Sequence, residues 1–256
     1  MRGDIFMDYP DYSYPRGLFA AVAHDVVLLR HRNFRRDAIA CIENLNPPLQ
    51  VLGKENIPQH GPCVITINHY HRAGFGAQWL ALAIAASVPV NLHWVMTGEF
   101  TYPGKWYEPF GAIGSRILLK RIAYVYDFIT MPPMPPRPKD VETRAASVRA
   151  VLEYGRHAKD PVLGLAPEGH DPVDGVLMHP ASGLGRFGLL LSKAGMKFIP
   201  VGAYEADGVF QLHFGEQYQL SMRCNLSADK KDERATQAIM KSIARLLPLH
   251  LRGEFA

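Results

Sequence analysis

The sequence predicts an α/β fold: a single layered domain over 51–256 with a largely parallel central sheet flanked by helices, preceded by an N-terminal amphipathic helical element within 1–50. Three observations lead there. From residue 61 onward, short apolar runs alternate with longer stretches of helical spacing, the pattern of strands joined by crossover helices. The 256 residues, 48% apolar and 20% charged, suffice for one large core and exclude a disordered or fibrous chain. No fixed-period repeat and no Gly/Ser-rich linker divides the chain.

Each element follows from local pattern. Tyr9-Pro10-Asp11-Tyr12-Ser13-Tyr14-Pro15 is a turn-rich aromatic arm. Leu18, Val22, Val26 and Leu29 recur at three- and four-residue spacing and predict one amphipathic helix, with Arg30, His31, Arg32, Arg35 and Arg36 as its basic end. Such a helix suits either packing on the core with a solvated tip or seating on anionic lipid. Strands are expected at 62–67, 91–96, 128–131, 162–166 and 198–202, and helices at 76–86, 115–126, 141–157, 184–194 and 235–247. Pro132, Pro133, Pro135, Pro136 and Pro138 force an extended loop, after which Asp140 is placed to cap the next helix.

Composition narrows the function classes. A formal charge of +4 and a pI near 8.9 permit an anionic partner, but the excess is too small to imply nucleic acid. Cys41, Cys63 and Cys224 are odd in number and widely spaced, which offers neither a disulfide framework nor a Cys-x-x-Cys metal site. The longest apolar run, 79–90, is too short to span a bilayer, and the acids in the first eight residues do not suit a secretory signal. The expected location is cytoplasmic, peripheral on the inner face of the membrane where lipid is involved.

Two strings place reactive groups directly after an apolar strand. The first is Ile65-Thr66-Ile67-Asn68-His69-Tyr70-His71-Arg72. Carboxyl ends of parallel strands open onto the ligand crevice, and a histidine there can take a hydroxyl proton at neutral pH. The second is Leu163-Gly164-Leu165-Ala166-Pro167-Glu168-Gly169-His170-Asp171, a strand end followed by a presented carboxylate in a turn.

In order with the later strand Phe198-Ile199-Pro200-Val201-Gly202, these strings resemble the motif blocks of the glycerolipid acyltransferase superfamily, which contains the 1-acylglycerol-3-phosphate acyltransferases. The resemblance covers about residues 60 to 205. It implies acyl transfer from an acyl thioester, acyl-CoA or acyl carrier protein as co-substrate, to a hydroxyl of a lysophospholipid-like acceptor. No further cofactor is implied. His69 matches the family's base, Asn68 its neighbour in the first block, and Pro167, Glu168 and Gly169 the third block.

The aspartate of the family's His-x-x-x-x-Asp block falls on Gly74, and no acid lies between His69 and Glu99. Neutralising a carboxylate that orients a base has cost about 10⁴ in turnover in the serine protease triad. Three readings follow: Glu168 orients His69 from the shared crevice; a weaker partner such as Asn68, His71 or a backbone carbonyl does so; or the chain holds lipid without turning it over. Amides near Gly169 are candidates to steady the thioester oxyanion.

An anionic headgroup needs cations. The resemblance places Arg137 after the strand at 128–131, and Arg186 is a substitute for the arginine the third block lacks, since His170-Asp171 stands in its place. A metal site could be drawn from the His-x-His pair His69/His71 with His170, Asp171, Asp174 and His179, but the spacings match no helix-borne His-Glu-x-x-His pattern and loop histidines near a crevice need no metal, so none is expected. Residues 183–188 do not follow directly on a strand as a nucleotide loop would, and no Gly-x-Ser-x-Gly elbow marks a serine hydrolase. All three tryptophans and many aromatics lie between 75 and 113, and 100–107 has the Trp/Tyr/Lys mixture of a headgroup layer.

Overall fold

The computed structural model describes residues 9–102, 104–172, 175–222 and 225–256. Met1 to Asp8, Pro103, Asp174 and Cys224, which enter the sequence reading, lie outside the described residues. The elements are α1 (Arg16–Leu28), α2 (Phe34–Ile42), β1 (Gln50–Leu52), β2 (Cys63–Ile67), α3 (Gln78–Ser87), β3 (His93–Thr97), α4 (Glu108–Val125), β4 (Ile129–Met131), α5 (Val141–His157), β5 (Val162–Leu165), α6 (Leu184–Lys193), β6 (Lys197–Ala206), β7 (Val209–Phe214) and α7 (Ala228–Ala244).

Among the described residues, seven strands form one sheet in the order β1-β7-β6-β2-β5-β3-β4. Every neighbouring pair is parallel except the β6–β7 hairpin. The fold is therefore α/β with a largely parallel sheet, as the alternating pattern predicts. Central strands are buried along their length, β2 and β5 on every residue, which explains text that is apolar except for the β-branched Thr66. Gly164 in β5 leaves room for the Trp94 ring, whose Cε3 would stand 2.5 Å from a Cβ at that position.

The connections locate the crevice. From β2 the chain crosses through α3 toward β3, whereas from β5 it crosses through α6 back toward β6. Right-handed crossovers in opposite directions put those helices on opposite faces, so adjacent β2 and β5 form a switch point whose carboxyl ends open outward. The first and third motif strings leave β2 and β5 there.

The N-terminal element differs from expectation. Instead of one helix with a basic end, α1 stops where Leu29 enters the left-handed region (φ 54°), and α2 starts anew with the Asn33 side chain accepting from the Arg36 amide. Arg32 is buried between Asp25 (2.5 Å) and Asp37 (2.7 Å), and Arg35 donates to the Val88 carbonyl at 2.7 Å. The four arginines of 30–36 thus do not make one free cationic face, because two are committed within the protein.

Smaller departures have local causes. Pro109 starts α4 well before residue 115, Ser227 caps α7 well before residue 235, the edge strand β1 is too short to stand out in the sequence, and β7 beside it alternates buried and half-buried residues. Asp140 stands at the head of α5 without capping it, since its carboxylate is held by Arg137. Among the described residues, no helix is long and apolar enough to cross a membrane.

Candidate active site

His69 is the second residue beyond β2, and Glu168 the third beyond β5. Glu168 is fully buried, yet its carboxylate does not reach the imidazole. Oε2 accepts the His69 backbone N–H at 2.5 Å and Oε1 accepts the Met178 N–H at 2.8 Å. Glu168 therefore ties the two motif loops together through their backbones. Burial pushes its carboxyl up to about 7, against the two backbone hydrogen bonds that favour the ionised form.

The carboxylate at the imidazole is Asp171. Its Oδ1 lies 3.2 Å from His69 Nδ1, and its Oδ2 lies 3.9 Å from His71 Nδ1. The hydrogen bond from His69, ahead of the opposing effect of partial burial, holds the Asp171 carboxyl below its ordinary value. With Nδ1–H donating to Asp171, the lone pair of His69 sits on Nε2, the tautomer a general base requires. The His69 side chain is 17% exposed and Asp171 47%, so the pair stands at the crevice surface.

The third-block turn is shaped by Gly169, at φ +75°, where an added Cβ would stand 2.7 Å from Met134 Cγ. Its amide donates to the Ala166 carbonyl at 3.2 Å, so the oxyanion role considered for that amide conflicts with a bond closing the turn. Pro167 is buried in the same turn. At the other loop, Gly74 takes φ +83°, and an added Cβ there meets only Arg72 Nη1, at 3.4 Å.

Asn68 does not face the crevice. It is 1% exposed, and its amide donates to the Ala203 carbonyl at 2.9 Å while accepting the Ala203 N–H at 2.7 Å. The side chain staples the end of β2 to β6, which positions His69 but leaves nothing free for substrate. Arg137 donates to Glu99 Oε1 at 2.8 Å and also holds Asp140. Glu99 is buried and binds Arg116 as well; burial raises its carboxyl, but the two arginines outweigh that and hold it below its ordinary value. Arg186 pairs with Asp229 at 3.2 Å on α7. Both expected headgroup arginines are thus already engaged with acids, and the structure does not bring either to His69.

No family model matches the sequence, and no curated protein matches it. Among solved structures, the 1-acyl-sn-glycerophosphate acyltransferase PlsC from Thermotoga maritima is similar over 91% of this chain and 84% of that one. The identity is 13% and the TM-score 0.47.

Sequence reasoning missed three parts of the site. Asp171 was visible only as a departure from the third block; the signal was a carboxylate three residues beyond Glu168 on a loop that must share the crevice. Glu205 was missed because nothing near it in sequence marks it. It is buried under Arg72, which holds both its oxygens, and accepts from Tyr12 at 2.7 Å and Tyr70 at 3.1 Å. The N-terminal arm is likewise part of the site's frame: Tyr12 packs on Phe75, Trp79 and Phe210, and Arg72 lies 3.9 Å over the Tyr9 ring.

Among the described residues no group of three or more His, Cys, Asp or Glu is arranged to hold a metal ion. A broad open concavity of about 680 Å³, lined by Asn33, Arg35, Arg36 and Asn91 among others, lies before the start of β3, at the opposite end of the strands from His69.

Proposed function

We propose that this chain is an O-acyltransferase that moves a fatty acyl group from an acyl thioester, acyl-CoA or acyl carrier protein, to a hydroxyl of a lysophospholipid-like acceptor met at an anionic membrane surface. The observation that carries the reading is the His69–Asp171 pair at the β2/β5 switch point, 3.2 Å between Nδ1 and Oδ1. It gives the histidine of the first motif block a carboxylate partner that the block itself lacks.

In this mechanism His69 Nε2 removes the acceptor hydroxyl proton as the oxygen attacks the thioester carbonyl. Asp171 stabilises the imidazolium that forms. Collapse of the tetrahedral intermediate breaks the carbon–sulfur bond, and the imidazolium returns the proton to the leaving thiolate. Glu168 and Asn68 act at a distance, fixing the His69 backbone through the bonds to its N–H and to Ala203.

The test is transfer from a panel of radiolabelled acyl-CoA and acyl carrier protein donors to a panel of lysophospholipids, with lipid extraction to detect labelled product. Wild type is expected to label at least one acceptor, and His69→Ala to abolish labelling without loss of helical signal. Wild type inactive on every pair while carrying an acyl lipid detectable by mass spectrometry would replace this reading by that of a lipid-binding protein.

A further inference from the structure

Helix α4 is built inside out. Toward the sheet it turns Ser115, Leu119 and Ala123, whereas Phe110, Ile113, Ile117 and Leu118 face solvent at helical spacing. Phe110 is 75% exposed and Ile117 56%, and Trp106, just before the helix, is 87% exposed. An amphipathic helix normally buries such a stripe, and contiguous exposed apolar surface marks an interaction site. The face extends onto α1, where Val27 is exposed and its carbonyl accepts from Arg121 of α4 at 3.0 Å.

We propose that this α4 face, led by Trp106 and Phe110, is the surface on which the protein seats on an anionic lipid bilayer. Charge selects that occupant. Lys105 and Lys120 are exposed, and Arg116 stays 58% exposed although it pairs with Glu99; Arg121 is turned to the Val27 carbonyl, and Glu108 is the helix's one acid. Cations bordering an apolar stripe with a leading tryptophan match the headgroup layer above acyl chains. A second copy of the chain suits the face less well, because a two-fold contact sets each patch against itself and would oppose its cations to their own copies. Eighteen residues at 1.5 Å each make α4 about 27 Å long, enough to lie in the interface without crossing it.

The seat is also aligned with the chemistry. The chain runs from the carboxyl end of β3 into the start of α4, so Trp106 and Phe110 stand at the sheet edge that carries His69. The seat does not depend on the proposed reaction; it adds to that reading only the side from which a lipid would enter. The membrane-binding cations are then Lys105, Lys120 and the exposed side of Arg116 rather than Arg30 to Arg36, where the Arg32 side chain is 8% exposed between two acids and Arg35 is turned to the Val88 carbonyl.

The experiment is flotation of the full chain with phosphatidylcholine vesicles, with and without phosphatidylglycerol, over a range of salt. Wild type is expected to float best with phosphatidylglycerol and to lose part of that binding as salt rises. Phe110→Ser/Ile117→Ser and Trp106→Ala should each weaken partitioning roughly tenfold or more, with unchanged thermal melting because these side chains are exposed. Arg36→Ala should partition as wild type. Wild type that fails to float on either vesicle, or Phe110→Ser/Ile117→Ser that floats as well as wild type, overturns the proposal. So does a dimer seen by light scattering that this double variant dissociates, with no vesicle binding. Flotation without acyl transfer would leave this face standing and remove the proposed reaction; transfer to a monomeric short-chain lysolipid without flotation would do the reverse.

Discussion

His69 Nδ1 and Asp171 Oδ1 stand 3.2 Å apart although 102 residues separate them in sequence. Where the resembled motif keeps base and carboxylate on one short loop, this chain draws them from the ends of two adjacent strands. Asp171→Asn should therefore lower acyl-transfer turnover by roughly 10²- to 10³-fold, less than the 10⁴ of a buried triad because the pair is partly solvated. The mechanism is specific enough to permit rescue. The space at Gly74 is open apart from Arg72 Nη1, and aspartate tolerates its positive φ better than most residues. Asp171→Asn/Gly74→Asp is expected to recover at least tenfold of the loss in a steady-state assay. Full activity in Asp171→Asn alone would remove the carboxylate from the mechanism.

Glu168 makes stability depend on pH in a defined window. Its carboxyl is pushed by burial from an ordinary 4.5 to about 7, so between those values the folded protein binds more protons than the unfolded chain. Stability from this group is then fully present below about pH 4.5 and declines as pH rises through 7, by on the order of 3 kcal/mol. Glu168→Gln carries no charge and should lack that slope, while losing about 1–3 kcal/mol at low pH where its amide opposes one of the two backbone N–H groups. Urea denaturation of both proteins at pH 5 and pH 8 reads the difference, and parallel changes would contradict it. Asp171, held below its ordinary value, titrates outside this window.

Much of the architecture was legible because fully buried strands such as Cys63–Ile67 and Val162–Leu165 are apolar but for the β-branched Thr66, and their crossover helices keep a clear period. The break between α1 and α2 was not, since a left-handed Leu29 has no compositional mark and Arg32 reads as a surface charge until Asp25 and Asp37 are brought to it. The site followed the same rule. His69 and Glu168 were readable from their places at strand ends, whereas the partner of each depends on contacts between loops distant in sequence. Glu205 illustrates the limit, being an acid in strand β6 whose burial is explained by the arm's Tyr12 and the first loop's Tyr70 and Arg72.

Asn68 separates positioning from binding. Asn68→Ala deletes both bonds to Ala203 and leaves a buried N–H and a buried carbonyl unpaired, each costing about 1–3 kcal/mol. Chemical denaturation should show a loss of roughly 2–6 kcal/mol, and turnover should fall as His69 loses its fixed backbone, with KM for the acceptor nearly unchanged. A raised KM at wild-type stability would instead return Asn68 to the substrate.

The aromatic arm should behave as part of the catalytic frame. Tyr12→Phe removes one donor from the fully buried Glu205 carboxylate, at a cost of about 1.5–3 kcal/mol for a hydrogen bond to a charged group, while the ring keeps its contacts with Phe75 and Trp79. Arg72→Ala strands that carboxylate without its bidentate partner and should cost about 3–5 kcal/mol. Arg72→Ala/Glu205→Gln removes the buried charge together with the arginine, so it should be more stable than Arg72→Ala alone; additive losses in this double-mutant cycle would mean that the two side chains do not act as a pair. Because Arg72 lies three residues beyond His69, Tyr12→Phe should also reduce turnover more than it changes acceptor KM. A variant with wild-type kinetics would confine the arm to stability.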